Sequence, residues 1–362
     1  MHIAAYRGYA TATHVFLSGR VLANRSPREL RGDERFWRSI ANTYRRFQTD
    51  EVPDIAVNVR VGDREQTLRT DAEGYYHLEL SHEVVHGALE MTAVARCRVQ
   101  DHEISATHQI FAPEEAAEFG IISDLDDTVI ETNVTRLFTA AKLIFGGNAK
   151  TRKPLEGVAA LYASLQNGRA LRPVNPLFYV STSPWNLYDL LCDFMELNEI
   201  PRGPLFLRDW GRDSFKPKRT PGHRMKLERT LKLLADFPTL PFVLIGDSGQ
   251  QDAGIYAEAA ALHPTRIKAI YIRDVDPTTA TRRDNAVCEH MKRAAQHNVP
   301  MLLVTDSNTI ATHAAEIGLI ASREKADVRR DVADDQERPS PAAAAVKEVL
   351  GIENSPSGDP DS

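Results

Sequence analysis

From Phe119 onward, short apolar runs alternate with longer stretches of helical pattern, which fits a parallel sheet whose strands are joined by crossovers. The runs are Phe119–Ser123, Pro176–Ser181, Pro241–Gly246, Lys268–Ile272 and Pro300–Thr305. Gly157–Gln166, Trp185–Asn198 and Met225–Ala235 are helical stretches between them. A strand covered on both faces reads as a continuous apolar run, because neither face meets water. An α/β unit with helices on both faces of a parallel sheet is therefore expected over residues 116–321.

The 362-residue chain is too long for one ordinary core, so a second unit is expected. Residues 1–115 read mostly as β. In Ile55–Val61 the odd positions are apolar and the even ones small or polar, the period of a half-buried strand, and Gly62-Asp63 turns it. Thr70–Gly74 is a second turn signal, leading to Tyr75–Leu80, with further strands at Leu89–Val99 and Ile104–Phe111. One helix interrupts them, with Phe36, Ile40, Tyr44 and Phe47 on one stripe. These features predict a small antiparallel β-sandwich. His82-Glu83-Val84-Val85-His86 matches a zinc-protease pattern, but it sits between β runs with Gly87 next, leaving no room for the helix a zinc site needs. Residues 322–362 turn charged and then Pro/Ser/Ala-rich, and are expected to be disordered apart from a short helix near Ala342–Leu350.

Several classes are disfavoured by the bulk properties. Three scattered cysteines (Cys97, Cys192, Cys288) make neither a disulfide framework nor a thiolate metal site, and fit a reducing compartment. No segment approaches 18 consecutive apolar residues and the N-terminus lacks a long apolar export run, so no transmembrane segment and a cytoplasmic location are expected. A net charge of −6 does not favour nucleic acid as a partner.

The chemistry is concentrated at the ends of the apolar runs. Phe119–Ser123 is followed by Asp124, Asp126 and Thr128 in the pattern D-x-D-x-T, at the C-terminal strand end where open α/β sheets place their ligands. Two carboxylates that close repel unless a cation or a phosphoryl group shares the site, which suggests Mg²⁺ and an aspartyl nucleophile. Taken alone, the pattern equally suits an acid-capped strand end. Ser181, Thr182 and Ser183 follow the second run, where hydroxyls serve either as phosphate contacts or as an ordinary helix cap. The run Phe242–Gly246 ends in Asp247, with Asp252 five positions on. Hard Mg²⁺ takes oxygen ligands, so Asp247 would complete a site begun at Asp124, and Asp252 would orient Asp247 or a water. Lys226 is either a solvated lysine or the cation that balances these carboxylates.

D-x-D-x-T, a strand-end Ser/Thr, a Lys and G-D-x-x-x-x-D, in that order along the chain, resemble the four motifs of the haloacid-dehalogenase superfamily of phosphotransferases. Ser123–Thr128, Tyr179–Tyr188 and Phe242–Tyr256 are similar more closely still to the catalytic domain of the actin-patch-protein family of phosphatidate phosphatases. The resemblance covers about residues 119–320 and extends to Gly19-Arg20-Val21 in the β region; Ala253-Gly254 stands where that family commonly has Pro-Glu.

The resemblance implies that Asp124 attacks phosphorus to form an aspartyl-phosphate, and that Asp126 exchanges protons with the leaving alcohol and the attacking water. It further implies Mg²⁺ held by Asp124, Asp247 and the carbonyl of Asp126 with Asp252 nearby, and phosphate oxygens held by Ser181, Thr182 and Lys226. Its expected substrate is phosphatidate or a related anionic lipid, with peripheral contact at a membrane surface. Leu137–Gly147 with Lys150, Arg152 and Lys153, and the basic stretch Arg208, Arg212, Lys216, Lys218, Arg219 and Arg224 with Trp210 and Phe215, suit an anionic headgroup. Each cation near such a surface contributes on the order of 1 kcal/mol. The alternatives are the same chemistry on a soluble phosphomonoester, a non-catalytic lipid-binding module, and a phosphoacceptor receiver domain. Asp126 argues against the receiver.

Overall fold

The computed structural model describes residues 1–23, 51–81, 90–99, 102–125, 156–208, 222–275 and 282–337. Strands β1 (His2–Ala5), β2 (Gly8–Ala10), β3 (His14–Leu22), β4 (Ala56–Val61), β5 (Arg64–Arg69), β6 (Tyr75–Ser81), β7 (Glu90–Val99) and β8 (His102–Phe111) form an eight-stranded sheet. Its order is β1-β3-β2-β8-β7-β4-β5, with β6 paired to β3. Pairing is antiparallel except between β2 and β8. In β4 the expected alternation is seen, with Val57, Val59 and Val61 buried and the residues between them exposed. Gly62, at φ +56°, makes the tight turn that pairs Val61 with Arg64, a backbone angle that glycine adopts without a side-chain clash. The inward residues of β3, β4, β6 and β7 share one cluster around Tyr76, Leu78 and Val59.

The second sheet has six strands, all parallel: β9 (Gly120–Asp124), β10 (Leu177–Pro184), β11 (Leu205–Arg208), β12 (Phe242–Asp247), β13 (Ile267–Arg273) and β14 (Met301–Val304). Its order is β11-β10-β9-β12-β13-β14, so the chain winds outward from β9 on one side and then returns to lay β12 on the other. The strand order reverses between β9 and β12, and a crevice opens at such a reversal, at the C-terminal strand ends.

Helices cover both faces, because successive residues of these strands point to opposite sides. Ile121, Tyr179, Val243 and Tyr271 pack with α1 (Val158–Asn167), α2 (Tyr188–Leu197), α6 (Ser307–Glu316) and α7 (Glu324–Glu337). Ile122, Phe178, Leu244 and Ile270 pack with α3 (Gly222–Asp236), α4 (Asp252–Leu262) and α5 (Arg282–Ala295). The N-terminal sheet enters both cores, with Tyr6 and Tyr75 in the first and Tyr9 in the second.

Helix α7 corrects the expectation of disorder from residue 322. Its acidic sequence hides a narrow apolar stripe, Val328 and Val332, buried in the core. Its acids also have a structural use: Asp335 and Asp331 accept hydrogen bonds from the backbone N–H groups of Gly157 and Ala160, at 2.9 and 3.0 Å. They supply the N-terminal cap that α1 lacks locally. The sequence reading also omitted β1–β3, β5 and β11. The helix expected at Phe36–Phe47, the His82–His86 motif and the Ala342–Leu350 helix lie outside the described residues. Cys97, Cys192 and Cys288 are free thiols. No described helix is long and apolar enough to cross a membrane.

Within the N-terminal sheet His108 is fully buried between two partners. The Tyr6 carbonyl accepts from Nδ1 at 2.9 Å, which leaves Nε2 of the neutral ring to accept from the Tyr76 hydroxyl at 2.8 Å. Burial lowers its pKa to about 4 against an ordinary 6.5, the Tyr6 hydrogen bond opposing only in part. The unfolded chain therefore takes up this proton first. Stability should be full above about pH 6.5 and fall by about 3 kcal/mol on acidification to about pH 4. Urea unfolding across this range should show the loss, and His108→Gln should flatten that part of the profile.

Candidate active site

Asp124 and Asp247 are the last residues of β9 and β12, the two strands that flank the reversal in strand order. Asp252 opens α4, where the positive end of the helix dipole favours a carboxylate. All three are fully buried, and one carboxylate oxygen from each lies within 4.8 Å of the others. Gly246 makes this approach feasible. A Cβ at that position would stand 2.6 Å from the Cβ of Asp252, so any side chain would push Asp252 away from the strand end.

Lys226, one turn into α3, inserts its ammonium between the acids at 2.7 Å from Asp124 Oδ1 and 2.7 Å from Asp252 Oδ1. It also donates to Gln250 Oε1 at 3.0 Å. Burial alone would lower the lysine pKa, but Asp124 and Asp252 outweigh it and hold the ammonium above its ordinary value. Lys226 is thus buried and ion-paired, not solvated. Asp252 is used twice, since its Oδ2 accepts from the Asp247 backbone N–H at 3.2 Å.

Asp247 differs from its neighbours. Burial, and then the charge of Asp252, push its carboxyl up to about 7, with Lys226 opposing. Its Oδ1 accepts from Gln250 N–H at 2.7 Å. Its Oδ2 is buried and meets no hydrogen-bond donor among the described residues. An acceptor in that state, with two further carboxylates close by, is a ready ligand for a hard cation. Three ionised carboxylates against the Lys226 ammonium leave two negative charges, which one divalent ion neutralises. The residues present therefore fit Mg²⁺, and the cluster has the composition to hold a metal ion.

Ser181 is one step beyond Val180, which pairs with Asp124 across β9 and β10, and is fully buried. Its Oγ accepts from the Ser183 backbone N–H at 2.9 Å. Thr182 lies beside the first residue of α3, since a Cβ on Gly222 would stand 3.0 Å from Thr182 Cγ2 and 3.3 Å from Arg208 Nη1. The structure thus gathers Asp124, Lys226, Asp247 and Asp252 directly and sets Ser181 on the adjoining strand end. Asp126 and Thr128 lie outside the described residues, as do Leu137–Gly147, Lys150, Arg152, Lys153, Trp210, Arg212, Phe215, Lys216, Lys218 and Arg219. Arg224 is exposed and paired with Glu228.

Two contributors were not singled out from sequence. Gln250 touches both Lys226 and Asp247, and its place between Asp247 and Asp252 was the available signal. Ser123 donates to the Asp124 carbonyl at 2.6 Å and takes a hydrogen bond from the Tyr162 hydroxyl at 2.6 Å, which holds the end of β9 from beneath. Nothing in the spacing pointed to Tyr162.

Residues 119–274 match the family described as phosphatidate phosphatase APP1, catalytic domain. The phosphatidate phosphatase APP1 of Saccharomyces cerevisiae is 34% identical over 155 residues, 42% of this chain and 25% of that protein. An uncharacterized protein of Schizosaccharomyces pombe is 35% identical over 159 residues, 43% of this chain and 25% of that protein. The match thus spans a quarter of the length of these curated relatives. Among solved structures, a carbohydrate acetylesterase from Xanthomonas citri aligns over 79% of this chain and 71% of its own, at 12% identity and a TM-score of 0.26, too loose to carry an argument.

Removing the Lys226 ammonium should leave two buried carboxylates without their cation. Lys226→Met is expected to lose about 3–5 kcal/mol near neutral pH, as breaking a buried pair does. Urea unfolding of the two proteins at neutral pH should show the loss as a lower midpoint.

Proposed function

We propose that this chain is a Mg²⁺-dependent phosphatidate phosphatase that works through an aspartyl-phosphate. The observation that carries the reading is the buried Asp124–Lys226–Asp252–Asp247 cluster at the strand reversal, inside a segment that matches a phosphatidate phosphatase catalytic family. In the same reading the parallel sheet is haloacid-dehalogenase-like, the N-terminal sheet is a small β-sandwich, and 116–321 is the catalytic unit, to which α7 adds its stripe. Contact with the anionic lipid would be peripheral, at a membrane surface.

Lys226 would orient the nucleophile by holding Asp124 Oδ1, 2.7 Å away. Because its ammonium is shared with Asp252, it is fixed before substrate arrives, and a preoriented charge needs little reorganisation in the transition state. Ser181 and Thr182, one strand over, are positioned to take the phosphoryl oxygens that acquire charge as the ester breaks. Asp126, two residues beyond the nucleophile, is assigned as the acid that protonates the departing diacylglycerol oxygen and the base that then activates water. Mg²⁺, held by Asp124 and Asp247 with Asp252 behind them, would neutralise phosphoryl charge beside the nucleophile.

Phosphate release from phosphatidate in mixed micelles should require Mg²⁺ and should fall by at least about 10³-fold in Asp124→Asn with the fold retained. Comparable or faster release from soluble phosphomonoesters would shift the substrate assignment, and undiminished release by Asp124→Asn would remove the nucleophile. Protons should compete with the metal at Asp247, whose pKa is about 7. Mg²⁺ affinity measured by calorimetry should therefore fall about tenfold per pH unit below neutrality.

A further inference from the structure

The segment that carries Ser181 and the helix that carries Lys226 are both gripped from outside the parallel sheet, by the N-terminal one. On the β10 side Arg20, 6% exposed, spreads its guanidinium over acceptors from separate chain segments. Nε donates to the Glu73 carbonyl at 2.8 Å, Nη1 to Asn186 Oδ1 at 3.1 Å and Nη2 to Glu51 Oε1 at 3.1 Å. Its plane lies 4.5 Å over the Tyr75 ring. Beside it Tyr6 stacks on Trp185 at 4.4 Å, and the Arg7 backbone N–H donates to the Tyr188 hydroxyl at 2.7 Å. On the α3 side the Tyr9 hydroxyl donates to Asp236 Oδ2 at 2.6 Å, and Lys232 lies 4.4 Å over Phe16.

The Ser181–Ser183 stretch needs such an anchor. Pairing of β10 with β9 stops at Val180, and the register with β11 breaks between Val180 and Pro184. These residues therefore form an irregular stretch within β10, between the Val180–Phe206 and Pro184–Arg208 pairings. Trp185 and Asn186 follow immediately, and they are what Tyr6 and Arg20 hold. Stacking aromatics would suffice for adhesion. A guanidinium fork with its donors in fixed directions also sets the place of the Asn186 side chain, and hence of the chain leading to it.

We propose that the N-terminal sheet is a template for the phosphate site, with Arg20 the positioning residue that acts through Asn186 on Ser181–Ser183. This rests on the reading of Ser181 as a phosphoryl-oxygen contact. The test is competitive inhibition by inorganic phosphate in the full-length protein, with a soluble phosphomonoester as reporter substrate. Arg20→Met should raise the inhibition constant about tenfold, and Asn186→Ala similarly, while the double variant should be no worse than either, the coupling expected of residues acting as one unit. Val57→Ala, a core truncation in the same sheet, should lower the melting temperature without changing the constant.

An Arg20→Met variant that loses stability but keeps the wild-type constant would overturn the proposal, as would additive effects of the two substitutions. If Ser181→Ala weakens phosphate binding while Arg20→Met does not, the site reading stands and the template role falls. If the wild-type protein neither binds phosphate nor turns over the ester, both fall together.

Discussion

The Lys226 ammonium, shared at 2.7 Å by Asp124 and Asp252, is the interaction on which the rest of this architecture depends. Carboxylates buried at that spacing repel, and removing charge from water is costly unless an opposite charge replaces the lost hydration. Satisfying that requirement constrains distant parts of the chain. β9 and β12 must be neighbours for their terminal acids to meet, which the strand order provides. Position 246 must lack a side chain, so that Asp252 reaches the strand end. Helix α3 must approach from the face opposite α1 with its first turn at the strand tips. The cluster remains short of positive charge, and burial, followed by the Asp252 charge, raises the Asp247 pKa. The same deficit suits a divalent ion.

The N-terminal sheet is more than an appendage in this arrangement. Tyr6 and Tyr75 join the core on one face of the parallel sheet, and Tyr9 joins the core on the other. Its contacts reach the segment after Ser181 and the helix bearing Lys226, by hydrogen bonds and stacked rings together. At the opposite end of the chain, α7 caps α1 with Asp335 and Asp331, so the far C-terminal helix is part of the same unit. Elements distant in sequence thus brace the sheet at both margins, which suits a site whose charges must be fixed before substrate binds.

Strands buried on both faces were legible because nothing polar interrupts them: Phe119–Ser123 and Pro241–Gly246 correspond within a residue to β9 and β12. β11 escaped notice because Leu205–Arg208 is four residues long, follows Pro204 and ends on a cation. Helix α7 escaped because two valines among acids look like a solvated tail until the partner surface is known. In the site, Asp124, Asp247, Asp252 and Lys226 stood out because each falls where an apolar run or helix begins or ends. Gln250, Tyr162 and the Arg20–Asn186 pair carry no such mark. Arg20 and Asn186 are 166 residues apart, and a contact of that kind leaves no local periodicity.

The sequence alone determined the parallel α/β core and the acids at the ends of its strands. Those follow from local rules: apolar runs that must be covered on both sides, and carboxylates too close to tolerate one another unaided. Only the tertiary structure decided that Lys226 is tied to Asp124 and Asp252 instead of solvent, that Asp247 Oδ2 meets no donor among the described residues, and that Arg20 of a separate sheet holds Asn186. Those outcomes depend on burial and on distances between remote segments, quantities that exist only once the chain has closed on itself.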